Sequence, residues 1–136
     1  MTTNVTKTIV NEGPTKLIVH VLIESDGTDG EITNLNILDP DADFTPSMSK
    51  DTQLTVMQVW YDKIWFDVLL RFNALNPLTV WAFSRDSGAG YLDFRYFGGL
   101  KDRSATDHDG KVLISTSGLT DATSSVGTMV IEFKKN

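Results

Sequence analysis

Three aspartates at alternate positions, Asp39, Asp41 and Asp43, are the side chains in this sequence that most resemble a calcium-binding loop. A helix-loop-helix calcium loop that begins at Asp39 needs glycine at its sixth position and glutamate at its twelfth. The sequence has Phe44 and Lys50 at those positions. We therefore expect these acidic residues to lie in a solvent-exposed loop. The sequence predicts no metal site and no cofactor.

The two histidines offer little for catalysis or metal binding. His20 lies within an alternating apolar stretch, where a hydrogen-bonded structural histidine is the simplest interpretation, and His108 lies in the triplet Asp107-His108-Asp109. A structural zinc site takes four protein ligands and a catalytic site takes three plus water, and the sequence offers no second cluster to complete either set. The Gly-x-Ser-x-Gly turn of many hydrolases and the glycine motifs that bind phosphate are also absent.

Two further sets of residues have side chains suited to sugars. Asp67 and Asp93 lie on aromatic-rich stretches and could form the pair of carboxylates that a glycosidase places around a glycosidic bond. Trp60, Trp65 and Trp81 could form a platform for sugar rings. Each aspartate is also explained as the polar residue of an alternating strand, and tryptophans are common in cores and interfaces. We expect no enzyme, and carbohydrate binding stays an alternative.

The composition indicates one acidic, soluble domain. The chain has 136 residues, a formal charge of −6, a pI near 4.7 and no cysteine. This length can bury a core without a disulfide or a metal, and the negative charge argues against nucleic-acid binding. No apolar run is as long as a membrane span, and residues 1–8 lack the apolar segment of a signal peptide. We therefore expect synthesis in a cytoplasm and no membrane partner.

Strands must position these candidate residues, because the middle of the chain alternates with a period of two. In residues 64–72 every second side chain is apolar, which is typical of a strand with one face in a core; these side chains are Ile64, Phe66, Val68, Leu70 and Phe72. Residues 53–60 form a second β-rich run, and Tyr61-Asp62-Lys63 predicts a turn between the two, hence a β-hairpin. A helix over residues 53–72 is the alternative, since some apolar residues recur at steps of three and four, but β-branched and aromatic residues favour strands.

Shorter alternating stretches separated by polar turns predict further strands on both sides of this hairpin. They span residues 15–25, 31–38, 78–83, 91–97, 111–116 and 126–135. Eight or nine such strands without a convincing helix predict an all-β antiparallel sandwich. We expect a jelly-roll-like arrangement of about eight strands in residues 9–136, with an immunoglobulin-like sandwich as the alternative. Residues 1–8 are polar and predict a flexible N-terminal arm.

Several stretches of the sequence resemble one group of known proteins. They are Val-Trp-Tyr-Asp at 59–62, Trp-Phe-Asp-Val-Leu-Leu-Arg-Phe at 65–72, Gly-Tyr-Leu-Asp-Phe-Arg-Tyr-Phe-Gly-Gly-Leu at 90–100, the run at 109–118, the final Lys134-Lys135 and the turn Asn-Glu-Gly-Pro at 11–14. Together they resemble small virion structural proteins of tailed bacteriophages, including jelly-roll capsid decoration, or cement, proteins. The Gly-Asp order usual in that group appears here as Asp109-Gly110, so we expect this loop to differ from that of the group.

The resemblance implies a non-enzymatic protein that binds and stabilises a capsid lattice. It implies the major capsid protein as partner, a homo-oligomeric state (dimer or trimer) and a place on the capsid surface of the virion after synthesis in the host cytoplasm. The residues expected to contact a partner are at the two ends of the chain: Thr2, Thr3, Asn4, Lys134 and Lys135. The alternative function is a carbohydrate-binding β-sandwich of a phage tail or of lectin type.

Overall fold

The computed structural model describes residues 4–13, 15–25, 33, 35–39, 54–64, 66–74, 78–83, 88–102, 110–117 and 125–134. These residues contain ten β-strands and one short 3₁₀ turn, and no α-helix. The strands are β1 (Asn4–Glu12), β2 (Lys16–Ser25), β3 (Leu35–Leu38), β4 (Thr55–Ile64), β5 (Asp67–Phe72), β6 (Leu78–Phe83), β7 (Gly88–Asp93), β8 (Leu100–Lys101), β9 (Val112–Ser117) and β10 (Ser125–Lys134).

The strands form two antiparallel sheets. Sheet A has the order β1-β2-β10-β4-β7, with β8 also paired to β4, and sheet B has the order β3-β9-β5-β6. When β1 and β8 are set aside, the other eight strands, counted along the chain, lie in the orders 1-8-3-6 and 2-7-4-5. This is the strand order of a jelly roll. The predicted all-β, jelly-roll-like sandwich is therefore confirmed.

The core lies between the two sheets and follows the alternation of the sequence. On β2 the buried side chains are every second residue, Leu17, Val19, Val21 and Ile23, while their neighbours are half-buried or exposed. Residues around β5 behave in the same way, as predicted: Phe66, Val68, Leu70 and Phe72 are buried. Both sets belong to one hydrophobic cluster. Only every second residue of each strand reaches it, because successive side chains of a strand point to opposite faces.

The predicted hairpin over residues 53–72 is wrong. β4 continues through Tyr61 and belongs to sheet A, whereas β5 belongs to sheet B, so the two strands do not pair. Tyr61 keeps the chain extended because its ring packs inward against Phe83 with centroids 5.1 Å apart. Its partner across the ladder is Gly90, where a Cβ atom would come within 2.5 Å of the Tyr61 hydroxyl. An apolar residue at every second position identifies the buried face of a strand, but it does not identify the strand that pairs with it.

The predicted strand over residues 91–97 ends early, at Asp93. The Asp93 carboxylate accepts a hydrogen bond from the backbone N–H of Arg95 (3.0 Å), and a single 3₁₀ turn follows at Arg95–Phe97. Gly98 and Gly99 then take positive φ angles of 92° and 91°, which glycine adopts without steric cost. An aspartate that hydrogen-bonds the backbone two residues ahead thus ends the strand.

The N-terminal segment also differs from expectation. Asn4 to Thr8, which the sequence assigned to a flexible arm, lie in β1 and pair with Glu24 to His20 of β2. Two apolar residues on the same face, Val5 and Ile9, pack against the core from this strand. Lys7, which lies between them on this face, interrupts the apolar alternation and hid the strand from sequence analysis. Residues 1–3 lie outside the described residues, and the division of the chain at residue 8 stays a prediction.

Candidate binding face

The structure does not gather the predicted contact residues into one patch. Thr2, Thr3 and Lys135 lie outside the described residues. Asn4 pairs with Glu24 at the end of β2, while Lys134, which is exposed, pairs with Lys16 at its beginning. Lys16 and Glu24 are eight positions apart along β2, which corresponds to about 26 Å in an extended strand. A single partner surface would have to be large to contact both.

The other predicted candidates are likewise dispersed. Asp67 lies on β5 of sheet B and Asp93 on β7 of sheet A. Asp67 alternates with core residues of sheet B, and Asp93 pairs with the outward-facing Gln58 of sheet A, so the two carboxylates leave the sandwich on opposite sides. They cannot flank one glycosidic bond.

Within the described residues, the structure does not bring the remaining candidates for metal or sugar binding together. His20 Nε2 lies 2.6 Å from the hydroxyl of Thr128, which matches a structural histidine. Trp65, Asp41, Asp43 and residues 107–109 lie outside the described residues. In the part of the chain that the structure describes, no three potential metal ligands cluster. No helix found there is long and apolar enough to span a membrane.

One surface does bring polar and aromatic side chains together: the face of sheet A that points away from the core, here called the outer face. Residues paired across a sheet point to the same side. Gln58 of β4 therefore lies between Glu132 of β10 and Asp93 of β7. In the next row Trp60 lies between Val130 and Tyr91.

A polar network crosses four strands of the outer face. The amide of Gln58 donates a hydrogen bond to Glu132 Oε2, and the Tyr91 hydroxyl donates one to Gln58 Oε1. Lys16 Nζ lies 3.6 Å from Glu132 Oε1. Glu132 and Gln58 are only 5% and 8% exposed. A carboxylate that is buried in this way needs partners, and the network supplies both hydrogen bonds and an opposite charge.

An aromatic pair stands beside this network. Trp60 and Tyr91 stack with ring centroids 5.2 Å apart and planes 23° apart, yet they remain 39% and 46% exposed. Tyr96, in the 3₁₀ turn that follows β7, is 98% exposed. Large aromatic rings left in water on a rigid sheet are the feature of this surface that most strongly suggests a binding role.

Asp93 and Arg95 form a planar ion pair next to the aromatic stack. Arg95 Nε donates to Asp93 Oδ1 and Arg95 Nη2 to Asp93 Oδ2, both at 3.0 Å. The hydrogen bonds from the Arg95 side chain and backbone lower the pKa of Asp93 from 3.8 to about 2. The same side-chain hydrogen bond raises the pKa of Arg95. The pair is therefore fully charged at neutral pH and holds the guanidinium in one orientation.

Sequence reasoning missed most of this face. It selected Trp60 and Asp93 as isolated candidates, but it had no reason to connect Gln58, Glu132 and Arg95. Glu132 and Gln58 are 74 residues apart in the chain, and only the strand register joins them. Their positions in the alternation could have pointed to Gln58 and Glu132, because each is a polar residue on the face of its strand that points away from the core.

Comparison with known proteins finds no match among protein-family models, curated proteins or solved structures. Functional inference for this chain therefore depends on the geometry of its surface and on the sequence resemblance given above.

Proposed function

We propose that this domain is a non-enzymatic decoration protein of a tailed-phage capsid and that it attaches to the major capsid protein through the outer face of sheet A. The observation that carries the proposal is the exposed group of Trp60, Tyr91, Arg95 and Tyr96. Tryptophan, tyrosine and arginine are the residue types that dominate binding energy in protein interfaces. The resemblance of residues 59–118 to virion proteins supports the choice of a capsid as partner.

The outer face has the physical properties that attachment requires. Its aromatic and charged side chains are held in place by stacking and by the Asp93–Arg95 hydrogen bonds, so little side-chain entropy is lost on binding. The lattice offers many equivalent sites, and a homo-oligomer that binds several of them at once gains avidity even when each contact is weak. The protein would then be located on the capsid surface of the virion.

The termini have a secondary role in this proposal. Lys134 and Lys135 bring positive charge to an acidic protein and suit an acidic patch on the capsid. Because Asn4 begins β1, removal of residues 1–8 would also damage sheet A. Removal of residues 1–3 alone deletes Thr2 and Thr3 and spares the strand, so it separates attachment from stability.

The proposal is tested by adding purified protein to expanded capsids of the phage that encodes it. Wild-type protein should bind at a saturable stoichiometry. Replacing one interface hot spot by alanine costs about 2 kcal/mol, which is about a 30-fold change in Kd. Trp60→Ala/Tyr91→Ala should therefore raise the Kd for capsids by at least this factor. Trp81→Ala is the matched control, because Trp81 is the same residue type and equally exposed at 39% but lies on sheet B.

Carbohydrate binding is the second candidate, and the Trp60–Tyr91 stack favours it specifically. An exposed aromatic pair beside an amide, a carboxylate and a guanidinium combines apolar surface with hydrogen-bonding groups, as small-ligand sites do. Retention of the wild-type protein on a glycan resin, lost in Trp60→Ala/Tyr91→Ala and kept in Trp81→Ala, would support this candidate. If in addition the wild-type protein does not bind capsids, the decoration proposal is rejected.

A further inference from the structure

The outer face carries opposite charges at its two ends. Glu24 of β2 and Asp62 of β4 are exposed at the end where β10 begins. Where β10 finishes, three exposed lysines form what is here called the lysine row: Lys16, Lys101 and Lys134. Glu24 and Lys16 are about 26 Å apart along β2, well beyond the Debye length of about 8 Å at physiological salt. Each end therefore acts on a partner separately.

The strand register places the lysine row side by side. Lys134 is the direct partner of Lys16 on β2, and Thr55 of β4 lies between Lys134 and Lys101 of β8. Residues paired in this way point to the same side of a sheet, and neighbouring strands are about 4.8 Å apart, so the row is about 15 Å wide. Like charges directly opposite each other destabilise a sheet. An anionic group bound at the row would relieve this repulsion.

The carboxylates nearest to the lysine row are already engaged. Glu132 accepts a hydrogen bond from Gln58 and lies 3.6 Å from Lys16. Both carboxylate oxygens of Asp93 accept hydrogen bonds from Arg95. Among the residues that the structure describes, the other two lysines of the row have no carboxylate partner. The chain has 18 acidic residues against 12 lysines and arginines, so this positive charge is a local excess that a ligand can use.

The turn after β7 extends the positive charge toward the aromatic stack. Gly99 packs against Thr55 so closely that a Cβ atom there would come within 2.5 Å of the threonine methyl. This contact holds the 3₁₀ turn that carries Arg95 over the outer face. The side-chain hydrogen bond to Asp93 is the main cause of the raised pKa of Arg95, and the charge of Glu132 also contributes. The guanidinium therefore lies within electrostatic reach of Glu132, beside the row.

We infer that the lysine row binds an acidic peptide segment and that this contact sets the direction in which the outer face docks on its partner. The identity of the partner rests on the proposed function: the major capsid protein would carry this segment. Complementary charges steer association and fix the register of an interface. In the reversed orientation the segment would face Glu24 and Asp62 and be repelled. A long polyanion such as nucleic acid suits the row poorly, because a net charge of −6 repels it outside the row.

The first experiment titrates the purified full-length protein with hexaglutamate and follows the backbone amide signals by NMR. We expect shift changes centred on Lys16, Lys101 and Lys134. Lys101→Gln/Lys134→Gln should raise the Kd for hexaglutamate about five- to ten-fold, because two exposed charge contacts are lost. Lys16 is kept because it takes part in the polar network. Lys7→Gln/Lys111→Gln is the matched control, since it removes the same charge from β1 and from the segment before β9.

Shift changes at the row that weaken in Lys101→Gln/Lys134→Gln and persist in the control support the inference. It is overturned if hexaglutamate leaves the signals of the row unchanged, or if the control variant loses as much affinity as the double variant. Tighter binding of hexathymidylate than of hexaglutamate at the row also overturns it, because the row would then select phosphates over carboxylates.

Capsid binding separates this inference from the proposed function. Expanded capsids should bind Lys101→Gln/Lys134→Gln about five- to ten-fold more weakly than the control variant. The difference should disappear near 1 M salt, where the Debye length is about 3 Å. Wild-type affinity of the double variant for capsids overturns the lysine row as a docking contact and leaves attachment through the aromatic stack intact. Wild-type protein that binds hexaglutamate at the row but does not bind capsids rejects the proposed function and keeps the acidic-peptide site.

Discussion

The contact between Gln58 and Glu132 should stabilise the outer face far more than the ion pair between Glu132 and Lys16. Lys16 is 69% exposed, and pairs of this kind contribute about 0–1 kcal/mol. Gln58 and Glu132 are both buried, and a buried polar group that loses its partner costs about 1–3 kcal/mol. We therefore expect Gln58→Leu and Glu132→Leu each to lower the free energy of unfolding by about 2–3 kcal/mol, and Lys16→Ala to lower it by less than about 1 kcal/mol.

A double-mutant cycle in urea measures the coupling directly. Replacing both partners leaves neither polar group orphaned, so Gln58→Leu/Glu132→Leu should cost about 1–2 kcal/mol less than the sum of the single variants. Glu24→Leu, an exposed glutamate of β2, is the control and should change stability by less than about 0.5 kcal/mol. Additivity of the two single variants within about 0.5 kcal/mol would refute the buried hydrogen bond as a stabilising contact.

Three further predictions concern the core, the turn after β7 and pH. Phe66→Ala should cost about 3–5 kcal/mol, since its side chain is fully buried; a loss below about 1 kcal/mol in a denaturant titration would remove this residue from the core. Gly98→Ala should cost about 1 kcal/mol of backbone strain, whereas Gly99→Ala should cost about 2–4 kcal/mol because its Cβ would also come within 2.5 Å of a β4 side chain; equal losses would contradict the crowding. The Asp93 pKa, lowered to about 2, means that its contribution to stability is present above pH 3.8 and lost as the pH falls through about 2. An NMR titration should show this midpoint and its rise toward 3.8 in Arg95→Ala; a midpoint of 3.8 in the unmodified protein would contradict the ion pair.

Local patterns in the sequence determined which side chains are buried, and this part of the prediction holds. The alternation of Phe66, Val68, Leu70 and Phe72 requires only that the chain be extended with one face in a core, and all four are buried. The count of short strands separated by polar turns likewise predicts a sandwich, because each strand must bury one face against another layer.

Strand pairing could not be predicted in the same way, because it depends on contacts between distant parts of the chain. β4 and β5 are adjacent in sequence yet lie in different sheets, while β4 pairs with β10, more than sixty residues away. The contacts on the outer face could not be predicted for the same reason. Trp60 could be selected by residue type alone, but its stacking on Tyr91 and the Gln58–Glu132 contact exist only in the register that long-range pairing creates.

We propose above that the outer face of sheet A attaches this domain to a capsid lattice. A cryo-EM map of expanded capsids saturated with the protein tests it most directly, because the orientation of the jelly roll on the lattice shows which face is in contact. We expect capsid density against Trp60, Tyr91 and Arg95, with occupancy lost for Trp60→Ala/Tyr91→Ala and kept for Trp81→Ala. Particles without added density, or a bound domain whose outer face points into solvent, would contradict it.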